Sequence, residues 1–195
     1  MKQALESALA SHGMILRGGF ALDAAGAAAE GLSADIRAVL LIGNAGPDMG
    51  AIFRLRHLDG PDPLDRWTRE VLTPLAEAFD ARVLYPFEGP PYYPFVRWAQ
   101  RAEAVHPSPV GMLIHPDHGL WHAYRAAFLF RREVDLPEKD DRPSHCETCA
   151  EKPCLATCPV SAFRPEGYRV DDCREHLRTE VGSDCMEEGC RARRA

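Results

Sequence analysis

The chain has 195 residues and a formal net charge of -6, with 46% hydrophobic and 27% charged residues. This length suffices for one substantial core, or for one core plus a small appended module. No apolar run approaches the ~18–20 residues of a membrane span, and the N-terminus lacks the apolar centre of a signal peptide. The acidic balance argues against nucleic-acid binding. We therefore expect a cytoplasmic protein without a membrane partner.

The first 137 residues predict an α/β domain in which helices flank a sheet. Helices are expected over about 2–11, 62–81 and 93–105, and strands over 36–42, 82–87 and 110–115; the type of the element at 120–134 is open. Asp62 is predicted to cap the second helix, with Pro63 at its first position, and Pro74 to kink it. The alternation of helix and strand indicates the layer arrangement but not the strand order.

All seven cysteines lie in the last fifty residues, after a charged, proline-containing linker at 135–145. We therefore divide the chain into an α/β domain, 1–137, and a small module, 138–195. The module has few apolar residues, so it needs disulfides, a metal or a cluster to fold. Disulfides do not suit an odd number of cysteines in a cytoplasmic chain, which leaves a metal or an iron-sulfur cluster.

The spacing of the first four cysteines distinguishes these two groups. Residues 146–159 read "CETCAEKPCLATCP", which is C-x2-C-x4-C-x3-C-P. Zinc sites usually separate two ligand pairs by a dozen or more residues, whereas thiols packed this closely, followed by proline, are typical of 4Fe-4S ferredoxins. The middle spacer is two residues longer than in the bacterial ferredoxin run. Structural zinc is kept as the less favoured alternative.

The ligand arrangement of two-cluster ferredoxins assigns each of the seven thiols to one of two clusters. In two-cluster ferredoxins the fourth cysteine of the run binds the other cluster. One cluster is then held by Cys146, Cys149 and Cys154, with its fourth ligand missing. The second cluster is held by four thiols: Cys158, Cys173, Cys185 and Cys190.

The segments "SPVGMLIHPDHGLWHAYRAAFLFRREVDLP", "CETCAEKPCLATCPVSAF" and "YRVDDCREHL" resemble the layout of epoxyqueuosine reductases. The resemblance implies a nitroreductase-like, cobalamin-binding α/β (α+β) domain followed by a bacterial ferredoxin-like double 4Fe-4S module, a plan that reductive dehalogenases share. The chain also resembles bacterial proteins described only as ferredoxins, in which Cys-Pro follows the "RARRA" stretch. That likeness implies an eighth cysteine directly after residue 195 in a longer natural chain.

The resemblance has limits. No residue here matches the general acid of the epoxyqueuosine reductases, and the helical repeat with which some of them recognise tRNA does not follow the cysteines. The tRNA activity is therefore not carried over. What the resemblance implies is an electron path from the clusters to a site in the first domain.

Other patterns favour ordinary structural roles. "IGNAGPDMG" does not fit a phosphate-binding glycine motif, so we interpret it as a turn, with a cofactor-contacting loop as the alternative. "FEGPPYYPF" is interpreted as a packing loop, or else as one wall of a planar cofactor pocket. "RARR" at 191–194 is interpreted as a solvated tail rather than a docking patch for an acidic partner. Four histidines could gather a metal or supply an axial ligand to cobalt, but Pro116 and Gly119 favour a loop: His106, His115, His118 and His122.

Three functions follow as hypotheses. The first is an electron-transfer protein that binds one or two 4Fe-4S clusters and serves a redox partner protein, which the sequence does not identify. The second is a reductase in which the first domain holds a corrinoid (cobalamin) or a flavin and receives electrons from the clusters. The bulk of that domain favours this reading, because a carrier needs only the module. The third is a zinc-stabilised interaction module.

Overall fold

The computed structural model describes residues 1–56 and 58–195. The helices, in chain order, are α1 (Lys2–Ala10), α2 (Ala24–Ala29), α3 (Asp48–Arg54), α4 (Pro63–Ala78), α5 (Phe95–Ala102), α6 (Pro153–Ala156), α7 (Val170–Leu177), α8 (Ser183–Glu187) and α9 (Arg191–Arg194), with 3-10 turns at His145–Glu147 and Glu180–Gly182. The strands are β1 (Ile15–Ala21), β2 (Ala38–Ala45), β3 (Arg82–Leu84), β4 (His106–Pro107), β5 (Leu113–Ile114), β6 (His122–Phe130), β7 (Phe163–Arg164) and β8 (Gly167–Tyr168).

The chain folds into two compact units. The sheet unit comprises Met1–Ala104 and His122–Asp141, and the cysteine unit comprises Val105–Trp121 and Arg142–Ala195. The predicted linker thus contains the point at which the chain finally leaves the sheet unit. Residues 105–121, which the sequence placed in the first domain, cluster instead with the cysteine-rich segment.

The sheet unit is built on a four-stranded antiparallel sheet with the strand order β1-β2-β6-β3. Alternate residues of β2 and β6 enter one apolar cluster, which also contains buried side chains of α1, α3 and α4. The intervening residues of β2 are equally buried, and α5 contacts β1 and β2. Burial on both faces explains why the sequence of β2 is a continuous apolar run rather than an alternating one.

The predicted helices are confirmed as α1, α4 and α5, and the predicted strands as β2, β3 and β5, the last two being shorter than expected. Asp62 precedes α4 as predicted, but its side chain makes no capping hydrogen bond, and it has a left-handed φ of 46°. The helix continues through Pro74. The undecided segment at 120–134 contains β6, which is central in the sheet.

Among the described residues, no helix combines the length and the apolar character that crossing a bilayer requires.

Candidate metal centre

Residues 105–121 are tied to the start of the cysteine-rich segment. Both terminal nitrogens of Arg142 donate to the carboxylate of Asp117, at 2.7 and 2.6 Å. The Nε2 atom of His145 lies 2.8 Å from the carbonyl oxygen of Pro116, and that of His106 lies 3.0 Å from the carbonyl oxygen of Arg142. The hydrogen bonds from Arg142 lower the pKa of Asp117. These contacts make residues 105–121 part of the scaffold of the cysteine unit.

Four cysteines from different parts of this unit line one cavity of ≈ 220 Å³. Cys158 follows α6, Cys173 belongs to α7, Cys185 belongs to α8, and Cys190 is the residue before α9. Each of these thiols is partly buried and free. The fold therefore brings to one cavity four thiols that are separated by up to thirty-two positions in the sequence.

Local contacts orient these thiols. The backbone N–H of Ala162 donates to the Sγ atom of Cys158 at 3.3 Å. The side chain of Tyr168 also lines the cavity, next to Cys173. Interaction with Cys173, together with burial and the neighbouring thiols, raises the pKa of Tyr168 to about 12. Tyr168 is held in place by the β7-β8 hairpin, where its ring stacks on Phe163 with centroids 5.0 Å apart.

The turn between α7 and α8 fixes the position of Cys185. The hydroxyl of Thr179 donates to the carbonyl oxygen of His176 at 2.7 Å and accepts from the backbone N–H of Gly182 at 3.2 Å. A Cβ atom at Gly182 would lie 2.0 Å from that same carbonyl oxygen. Only glycine allows this approach, because the Cβ atom of any other residue would overlap with the carbonyl oxygen.

The basic run 191–194 is not a solvated tail, contrary to the interpretation from sequence. Arg191 and Arg194 donate to Asp184 at 2.6 and 2.5 Å, and these bonds lower the pKa of Asp184. The guanidinium of Arg193 lies over the ring of Trp121, 4.9 Å from its centroid. The run forms α9, and its arginines connect it to α8, next to the cysteine cavity.

The remaining three thiols are Cys146, Cys149 and Cys154. Burial, together with the neighbouring Cys146 and Cys149, raises the pKa of the Cys154 thiol. The side chain of Ser144 accepts the backbone N–H of Cys146 at 3.2 Å, which caps the short turn that carries this cysteine. The cavity that the other four cysteines line includes none of these three thiols.

The four thiols that line the cavity are of a chemical type suited to binding a metal group through sulfur. The four thiols surround a cavity rather than meeting at a point, and another polar atom at the cavity wall, Nε2 of His176, is buried without a hydrogen-bond partner. In residues 1–56 and 58–195, no three side chains of the ligand types converge closely enough for a single bare ion.

The four histidines singled out in the sequence do not form one site. His115 and His118 stack with ring centroids 4.5 Å apart in a tight turn closed by hydrogen bonds between His115 and Gly119. The Nδ1 atom of His115 accepts backbone N–H groups of that turn. His106 bonds a carbonyl oxygen, and His122 belongs to the sheet unit.

A buried ionic network in the sheet unit was not predicted from the sequence. Arg17, only 2% exposed, pairs with Glu103 at 2.7 Å and donates to the carbonyl oxygen of Asn44 at 3.2 Å. Its guanidinium also lies 3.3 Å from Nδ1 of His122 and over the ring of Tyr124. Burial and the adjacent Glu103 raise the pKa of Tyr124. The signal available in the sequence was an arginine inside the apolar stretch "MILRGGFAL".

The glycine and aromatic loops have packing roles. A Cβ atom at Gly43 would lie 2.0 Å from the carbonyl oxygen of Ala123, so this glycine permits the close approach of β2 and β6. Gly46 has a φ of +69° in the turn before α3, and Gly50 lies within that helix. In the "FEGPPYYPF" segment, the rings of Tyr93 and Phe95 contact Trp98 of α5, with centroids 5.8 and 5.3 Å apart.

Fold and thiol arrangement together define a mixed α/β protein with an antiparallel sheet unit and a cysteine-rich unit. No protein-family model matches the chain, and the search of curated proteins finds no significant sequence relative. Among solved structures, the chain is similar to epoxyqueuosine reductase from Streptococcus thermophilus, with a TM-score of 0.58 and 13% identity. The match covers the whole of this chain and 66% of that enzyme's chain. At this identity the likeness concerns the fold.

Proposed function

We propose that the chain is an iron-sulfur electron-transfer protein. The observation that carries the proposal is the cavity lined by Cys158, Cys173, Cys185 and Cys190. In two-cluster ferredoxins the fourth cysteine of the run binds the other cluster, and this rule assigns the same four thiols to one 4Fe-4S cluster. A cluster bound there supplies one-electron transfer, while the protein sets its position and potential. The set of three thiols is the proposed site of a second cluster, with an incomplete ligand set within these 195 residues.

The residues around the cavity have definable roles in this proposal. Four thiolates would bind the four corners of the cluster. The backbone N–H of Ala162 would donate to a ligand sulfur, because it already donates to Sγ of Cys158. The hydroxyl of Tyr168, which lines the same cavity, is a second candidate donor. Hydrogen bonds to sulfur and burial are among the factors that determine cluster potential.

A second candidate function is a reductase in which the sheet unit receives the electrons. It is favoured by the structural likeness to an epoxyqueuosine reductase, which extends over the sheet unit as well as the cysteine unit. The cofactor of such a reductase would be a corrinoid or a flavin. An electron carrier would not require the sheet unit, whereas a reductase would.

Anaerobic purification followed by iron, sulfide, zinc, cobalt and flavin analysis tests these proposals together. Iron with equimolar sulfide and broad absorption near 400 nm supports clusters. Cobalt or flavin in addition supports the reductase. Zinc without sulfide would support the interaction module instead, and a folded, colourless, metal-free protein would contradict all three.

A pair of matched variants tests the division of the thiols. Cys158→Ala should eliminate the paramagnetic signal of the cluster in the four-thiol cavity and leave the other cluster intact. Cys154→Ala should have the reverse effect, since its thiol lies with the other set. Iron counts and paramagnetic spectra of the two reduced proteins provide the comparison. Loss of the same signal in both variants would refute the division.

A further inference from the structure

His176 is placed at the wall of the four-thiol cavity by the geometry of α7. It follows Cys173 by three positions on this helix, so the two side chains share one helical face. Both residues line the cavity. The sequence contains no signal for this role, because a histidine three residues from a cysteine on a short helix is an ordinary occurrence.

The ring of His176 has an unsatisfied polar atom. Its Nε2 is buried and has no hydrogen-bond partner among the residues that the structure describes. Buried polar groups are nearly always paired, so each exception requires an explanation, such as a bound group that supplies the missing partner. The hydroxyl and the backbone N–H of Thr179 both donate to the carbonyl oxygen of His176, which restrains the base of the side chain.

We infer that the Nε2–H group of His176 donates a hydrogen bond to a sulfur of the cluster bound in this cavity and raises the reduction potential of that cluster. This inference rests on the proposed function. The four thiols already supply four ligands, so the imidazole serves as a hydrogen-bond donor to the cluster rather than as a ligand. Reduction adds negative charge to the cluster, and a donor directed at sulfur stabilises the more negative state preferentially.

Two substitutions separate donation of a hydrogen bond from simple packing. His176→Phe keeps a ring of similar size but removes the donor, whereas His176→Gln retains an N–H donor near the position of Nε2. We expect both variants to keep their iron and sulfide. His176→Phe should show about a tenfold smaller equilibrium constant for one-electron reduction, which is a shift of ~59 mV to lower potential. His176→Gln should remain closer to the wild-type potential.

The measurement is an anaerobic redox titration followed by visible and paramagnetic spectra of the four-thiol cluster. Pulsed paramagnetic resonance of wild-type protein with ¹⁵N-labelled histidine provides an independent test, which holds even if the phenylalanine variant loses its cluster. A weak nitrogen coupling is expected, and its loss in His176→Gln would assign it to this residue. No coupling, or a strong coupling typical of a bound nitrogen, would overturn the inference, as would an unchanged potential in His176→Phe. Absence of clusters from wild-type protein would instead contradict the proposed function.

Discussion

The buried pair between Arg17 and Glu103 allows a sharp test of what stabilises the sheet unit. The Arg17 side chain is 1% exposed and that of Glu103 is 13% exposed, and the carboxylate also accepts a hydrogen bond from Tyr124. Glu103→Gln removes the negative charge while it keeps the shape of the side chain. Arg17 would then remain as a buried cation without its counter-charge.

The structure provides a matched control for this substitution. Glu88 pairs with Arg69 at 3.3 Å, but their side chains are 42% and 45% exposed. Breaking a buried ion pair by removing one partner costs ~3–5 kcal/mol, whereas exposed pairs contribute ~0–1 kcal/mol. We expect Glu103→Gln near the lower limit, ~3 kcal/mol, because the glutamine oxygen still accepts a hydrogen bond from Arg17. Glu88→Gln should cost less than ~1 kcal/mol.

Thermal and urea unfolding, followed by tryptophan fluorescence, would measure both variants. For a chain of this size 1 kcal/mol corresponds to ~2–4 °C, so Glu103→Gln should lower Tm by ~6–12 °C and Glu88→Gln by less than ~4 °C. Addition of Arg17→Met to Glu103→Gln should recover part of the loss, because the unpaired cation is then absent. Equal shifts in the two single variants would refute the reasoning.

Three further outcomes are expected. Gly43→Ala should cost ~1–3 kcal/mol in the free energy of unfolding, because its Cβ would meet the carbonyl oxygen of Ala123. Gly50→Ala, in a helix with space for a methyl group, should be neutral or stabilising by up to ~1 kcal/mol. Similar urea midpoints for the two variants would contradict this. Burial opposes ionisation of Glu30, but hydrogen bonds, notably from Arg97, outweigh it and lower its pKa below the ordinary 4.5. The stability from this carboxylate is therefore complete above pH ~4.5 and lost as pH falls through the lowered folded-state pKa, so Glu30→Gln should flatten the acid limb of the stability curve, and an unchanged limb would refute the assignment. On the proposed function, removal of the clusters by oxidation and chelation should make the cysteine unit sensitive to protease and leave the sheet unit resistant, because the cysteine unit has little apolar core. Equal resistance with and without iron would count against this.

Local signals were sufficient for much of the secondary structure. The helices α1, α4 and α5 follow from the period of their apolar residues, and Pro63 marks the start of α4. The type of β6 could not be decided from the sequence, because its residues are buried through contacts on both sides with β2 and β3. Those strands lie about forty to ninety positions earlier in the chain, beyond the reach of any local pattern.

The candidate site likewise depends partly on local sequence signals and partly on contacts between distant segments. The sequence by itself determined that all the thiols lie in the last fifty residues. Their spacing predicted iron-sulfur ligation, because cysteines close in sequence are also close in space. Only the tertiary structure brings Cys158, Cys173, Cys185 and Cys190 around one cavity, places His176 in its wall, and encloses Arg17 with Glu103. These arrangements depend on contacts between distant segments, whose free energies come from burial and charge pairing that exist only once the chain has folded.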